Sequence, residues 1–160
     1  MLWLDIVSRI THISTAIVLI GGTAFTLLVL IPATRLMSAE SHDLLAAEIK
    51  NRWKRFVHIG VTLFLVSGFY NYIRAMGLHK GDGLYHGLMG AKMLMAFVVF
   101  FLAAALVGRS SALQRIRTNR VFWLRVMVSM ATIIVIISGY LKVRGTNVPM
   151  SNTPVITATE

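Results

Sequence analysis

Four long apolar runs constrain this chain more than any other feature of its sequence. They extend from about Ile10 to Ala33, Phe56 to Met76, Leu84 to Gly108 and Val121 to Leu141. Each reaches the roughly 20 residues that a helix needs to cross hydrocarbon. With no water there to satisfy backbone N–H and C=O groups, such runs fold as helices. The composition agrees. Residues are 56% hydrophobic and only 14% charged, where a soluble domain carries about a quarter charged. Four spans within 160 residues leave short connections. The expected fold is therefore all-α and integral to the membrane, an antiparallel up-down four-helix transmembrane bundle over residues 1–144. The tail from 145 to 160 lacks a period and is expected to be loose.

Between the first two runs, "SHDLLAAEIKNRWKRF" places Leu45, Ile49, Trp53 and Phe56 at helical spacing. This predicts a short amphipathic helix at the interface, leading into span two. Asp5 and Arg9 precede the first run without a basic leader, so the N-terminus is not expected to be a cleaved signal.

Basic residues choose the side. Arg35, Lys50, Arg52, Lys54 and Arg55 flank the first connection, and Arg109, Arg115, Arg117, Arg120 and Arg125 flank the third. The opposite end carries Arg9, Arg74, Lys80, Lys142 and Arg144. The richer end should be cytoplasmic. That puts a multi-pass protein in the inner (plasma) membrane with both termini outside. The net charge of +10 then reflects basic loops beside anionic lipid, with no nucleic-acid partner expected. The absence of cysteine excludes disulfides, thiolate metal sites, c-type haem attachment and cysteine nucleophiles. No phosphate loop, zinc-protease helix motif or serine elbow is present.

The remaining chemistry lies in polar residues inside the spans. In span one, Asp5, Arg9, His12, Thr15, Leu19, Thr23 and Thr26 share a stripe expected to face the bundle, with Gly21 and Gly22 beside it for close helix contact. In span three, His86, Met89, Gly90 and Met93 share a face. An imidazole above two thioethers suits Cu(I), and a His–Met pair also suits haem iron. Lys92 lies over two turns into the same span and is a candidate anchor for a propionate or another carboxylate. Asp5 is a possible partner for Lys92 or for Arg9. Each residue also has a plainer reading: methionine as apolar filler, histidine at the headgroup level, lysine snorkelling to the surface. His58 is the reserve ligand; His42 and His79 are expected in solvent.

"THISTAIVLIGGTAFTLLVLIPATRL", "RWKRFVHIGVTLFLVSGFYNYIRAM" and "YHGLMGAKMLMAFVVFFLAAALVGR" resemble successive helices of the copper-resistance protein D family. That resemblance implies copper binding or uptake; the helical faces supply His12 and His86 as the expected ligands of a copper ion near the outer face, with Met89 and Met93 as soft neighbours, and a periplasmic metal carrier or redox protein is the expected partner. A weaker similarity links the same landmarks to the membrane-bound protoporphyrinogen oxidase of the haem pathway. It implies haem b on His12, with His86 and Lys92 matching that family's His and Lys pair, although Gly87 to Ala91 separate them here. The functions to be weighed are copper binding, a small b-type haem protein for electron transfer or porphyrinogen oxidation, and a structural membrane subunit without cofactor.

Overall fold

The computed structural model describes residues 2–77, 79 and 81–145. Four of its helices are long and apolar enough to cross a membrane. We label the helices α1 (Leu2–Thr34), α2 (Ala39–Met76), α3 (Gly83–Val107), α4 (Gln114–Thr118) and α5 (Arg120–Arg144). No strand is found among the described residues. The all-α bundle expected from the hydropathy is therefore the fold. Residues 146–160 of the expected tail lie outside the described residues.

Two boundaries differ from expectation. The interfacial segment is not a separate helix but the first part of α2, which runs 38 residues without a break. At 1.5 Å per residue it is about 57 Å long, well beyond the hydrocarbon thickness of about 30 Å. Its N-terminal third runs alongside the end of α1 at the basic end, where His42, Leu45, Ala46 and Ile49 lie near Leu30, Ile31 and Thr34. Ser38 starts it, its hydroxyl accepting from the Ser41 N–H. The second difference is in α1, where Thr26–Leu30 form a π-helical turn. Pro32 follows directly. Proline has no N–H to donate, and its ring crowds the carbonyl four residues earlier. A wider turn relieves that clash and lets the helix continue.

α1 packs on α2 and α5, and α3 packs on the same two helices, so α1 and α3 stand diagonally. The two closest pairs differ in character. α3 and α5 meet through Leu102, Leu106, Leu124 and Met127, joined by Leu27 and Ile31 of α1, all at the basic end. α1 and α2 meet along a polar and glycine-rich seam. Asp5, His12 and Leu19 of α1 recur every seven residues, as do Trp53, Gly60, Ser67 and Arg74 of α2. Seven-residue spacing keeps one face of each helix on its neighbour in a left-handed crossing. Asp5 meets Arg74, His12 meets Ser67, Leu19 meets Gly60 and Gly22 meets Trp53.

The expected glycine pair divides on this seam. A Cβ on Gly22 would overlap the Trp53 indole, whereas one on Gly21 meets nothing within 4 Å. Gly22→Ala should therefore lower the thermal stability of the detergent-solubilised protein, at the roughly 1–3 kcal/mol typical of overpacking. Gly21→Ala should leave it unchanged or slightly raised. Equal melting temperatures for the two variants would contradict the seam.

Candidate functional site

The end opposite the basic loops carries the polar interior. Asp5, one turn into α1, accepts from Tyr70 Oη at 2.8 Å, from Arg74 Nε at 3.0 Å and from Arg74 Nη2 at 3.1 Å. Asp5 is thus held in a two-pronged clamp by α2, rather than by the expected Arg9 or Lys92. Three residues on, the Ser8 hydroxyl donates to the Ser67 carbonyl at 3.3 Å.

His12 comes next, half-buried on the same seam. Its Nδ1 lies 3.1 Å from Ser67 Oγ. Ser67 is buried, and its hydroxyl donates to the Leu63 carbonyl at 2.7 Å. A serine hydroxyl has a single proton. With that proton on Leu63, Ser67 Oγ is left as the acceptor for His12 Nδ1–H. The network therefore places a proton on Nδ1, and in the neutral ring Nε2 then carries a lone pair that no described side chain donates to. Gly68 lets the ring approach, since a Cβ there would fall 3.1 Å from His12 Cε1. Phe64 lies against the ring, centroids 3.9 Å apart, and meets Phe100 of α3 edge-on at 5.3 Å. Phe64 thus fills the space between His12 and α3. Lys92 of α3 is within electrostatic reach of His12. It is half-buried and forms no ion pair with the described residues.

The other expected site residues are placed differently. His86 is exposed, its ring edge-on to that of Tyr85 at 5.7 Å. Met89 and Met93 are half-buried. Tyr85 and Lys92, about 100° and 120° around the helix from His86, are the polar residues that α3 turns inward. The structure brings His12 and Lys92 toward one another and leaves His86 at the bundle surface. Among the described residues no group of three or more His, Asp or Glu side chains gathers as a metal cluster. His58 is exposed, its Nδ1 donating to the Lys54 carbonyl at 2.7 Å. His42 is exposed beside Asp43, at 3.3 Å.

Sequence reasoning missed three participants. Ser67 orients His12, and the "SG" step within an apolar span was its signal. His79, expected in solvent, stacks flat on buried Tyr85 at 3.6 Å and 7°. Asp82 caps α3 and pairs with Arg144 Nη1 at 3.0 Å, tying the α2–α3 loop to the end of α5.

In three comparisons with known proteins, no family model, no curated sequence and no solved structure matched the chain.

The Tyr85 N–H and then the Arg144 guanidinium hold the Asp82 carboxyl below its ordinary value of 3.8. A carboxyl lowered by folding stabilises the fold above its unfolded value, and that contribution is lost as pH falls through the lower folded value. Hydrogen exchange at the Tyr85 amide, corrected for its intrinsic rate, should stay slow at neutral pH and accelerate only below about pH 3.8, the ordinary value. In Asp82→Asn, which can still cap the helix, that acid dependence should vanish. Its persistence would assign the acid step to another group.

Proposed function

We propose that this chain binds a redox cofactor inside the membrane at the end of the bundle opposite its basic loops, with His12 as the ligand and haem b as the cofactor. One observation carries the reading: His12 Nδ1 lies 3.1 Å from Ser67 Oγ, whose own proton goes to the Leu63 carbonyl, and a neutral ring held this way turns the Nε2 lone pair free into the bundle. Metal-bound histidines characteristically spend their second nitrogen on such a partner.

Charge then favours haem over a bare metal ion. Among the described residues, Lys92 is the charged group whose electrostatic influence reaches His12. A cation beside the ligand opposes a copper ion but suits a propionate. Both acidic residues at this end of the described chain, Asp5 and Asp82, are already paired with arginines. The donor chemistry would suit haem b, with His12 Nε2 holding the iron and Lys92 a propionate. When bound, the group supplies one-electron redox chemistry. The chain's own residues orient the imidazole through Ser67, exclude water with the Phe64–Phe100 pair and hold the negative edge with Lys92. Phe64 is the side chain that must move to admit the group. Copper held by His12, His86, Met89 and Met93 is the competing proposal, and it requires His86 to turn inward from an exposed position.

The test is purification from cells supplied with haem precursor and copper, followed by visible absorption and metal analysis. Haem gives a Soret band, lost in His12→Ala, weakened in Lys92→Gln and kept in His86→Ala. A colourless protein retaining copper, lost in both His12→Ala and His86→Ala, supports the competing proposal. A protein holding neither is a structural subunit.

The orientation follows the basic residues, ten at one end against five at the other. A reporter active only in the periplasm, fused after Glu160, should be active. Activity of a cytoplasmic reporter instead would place the His12 site on the opposite side of the membrane.

A further inference from the structure

At the basic end, a small cavity of about 60 Å³ lies between the end of α1, the first part of α2 and the start of α5. Leu30, Ile31, Leu45 and Ile49 form apolar walls, and Arg120 is the one residue with a permanent charge among those lining it. Arg120 is half-buried. It forms no ion pair among the described residues. Of the three acids on the nearby part of α2, Glu48 is bonded to Arg52, Asp43 lies beside His42, and Glu40 is exposed, and none forms an ion pair with Arg120. Two hydroxyls also line the cavity, but Thr26 donates to the Gly22 carbonyl and Thr34 to the Ile31 carbonyl. Neither has a proton left for a ligand. The His42 imidazole also lines the cavity, its Nδ1 beside Asp43, so the one permanently charged feature is a guanidinium with a fixed fork of donors among apolar walls.

We infer that this cavity binds the phosphate of an anionic phospholipid. The ligand must be an anion, because a half-buried guanidinium lacks a counter-charge here. It must be compact, because the cavity is larger than the roughly 10–15 Å³ that one water requires but far below the roughly 300 Å³ of a pocket for a whole small molecule. It must also continue as apolar chain, because Leu30, Ile31, Leu45 and Ile49 would do nothing for a free phosphate. Depth agrees. Arg120 opens α5 directly before its apolar run, at the level of the headgroups. Guanidinium binds phosphate oxygens in a two-pronged geometry that lysine does not reproduce. Basic pockets between membrane helices are a recurrent setting for anionic headgroups.

The test uses the full chain in a neutral detergent. Short-chain phosphatidylglycerol, phosphatidylcholine and inorganic phosphate are added separately, with bound lipid counted by native mass spectrometry and stability followed by melting. One phosphatidylglycerol should be retained and raise the melting temperature. Phosphatidylcholine should be retained at least tenfold less, and inorganic phosphate should neither stabilise the protein nor displace the lipid at equal concentration. Arg120→Gln should weaken phosphatidylglycerol binding about tenfold or more, the loss of a charge-assisted contact. Arg120→Lys should recover part of it. Arg115→Gln, the same charge change at an exposed position outside the cavity, should have no effect. Equal losses in Arg115→Gln and Arg120→Gln would reduce the effect to general surface charge and overturn the inference. So would equal retention of the two lipids, or displacement by inorganic phosphate.

Discussion

The contact between α1 and α2 is the constraint on which the rest of this bundle depends. Hydrocarbon offers a polar side chain no partner, so each one carried into a span must find one on a neighbouring helix or on its own backbone. The seven-residue spacing on both helices brings those partners together in antiparallel order. At one end of the seam the order is ionic, Asp5 with Tyr70 and Arg74. Next come hydroxyls and imidazole, Ser8 and His12 with Ser67. It finishes in close packing, Leu19 on Gly60 and Trp53 over Gly22. Because Asp5 is clamped and Gly22 is covered, α1 cannot rotate without losing contacts at both ends. The orientation of His12 follows from that locked phase. Thr23 and Thr26, on the same helix, return their protons to its own carbonyls and need no partner from α2.

Much of this was legible in the sequence, for a definite reason. Apolar length dictates a span, and a helical period dictates which residues share a face. The four spans and the inward stripe containing His12, except for Arg9, follow from those two rules alone. Period gives relative phase only, however. His86, Met89 and Met93 do share a face, but nothing in α3 alone says which way that face points. The packing turned Tyr85 and Lys92 inward and left His86 exposed. Asp5 illustrates a second limit. Arg9 lies four residues away and is a natural partner on an isolated helix, yet Arg74 is 69 residues distant and wins. Arg74 directly faces Asp5 on the adjoining helix, whereas Arg9 points out of the seam and is exposed. The repeat of Trp53, Gly60, Ser67 and Arg74 was present in the sequence as a signal. It links four residue types with nothing in common except their spacing, so only the partner helix reveals it as a seam.

The two ends of the molecule solve opposite electrostatic problems. At the basic end, cations outnumber acids, and the structure leaves most of them exposed. There water and the charge of lipid headgroups are adequate counterparts. Arg120 is an exception, because it is half-buried against apolar walls. At the other end acids are scarce and fully used, Asp5 by Arg74 and Asp82 by Arg144. These pairs close that end of the bundle and tie α1 to α2 and the loop before α3 to the end of α5.

Lys92 stands outside both solutions. It is too deep for the pairs formed by Asp5 and Asp82, and the helix presents it inward near an imidazole. Placing a cation at the centre of a span costs about 2.5–3.5 kcal/mol on insertion scales. A second cationic group beside it would raise that cost, which is why a neutral His12 suits the site. In a neutral ring, one nitrogen donates to Ser67 and the other carries a lone pair. Under the proposed function, a neutral donor atom and a fixed positive charge on facing helices would suit a ligand with a corresponding asymmetry, electron-accepting at one point and anionic at another. A metallated ring bearing carboxylates has that asymmetry, and a bare cation does not.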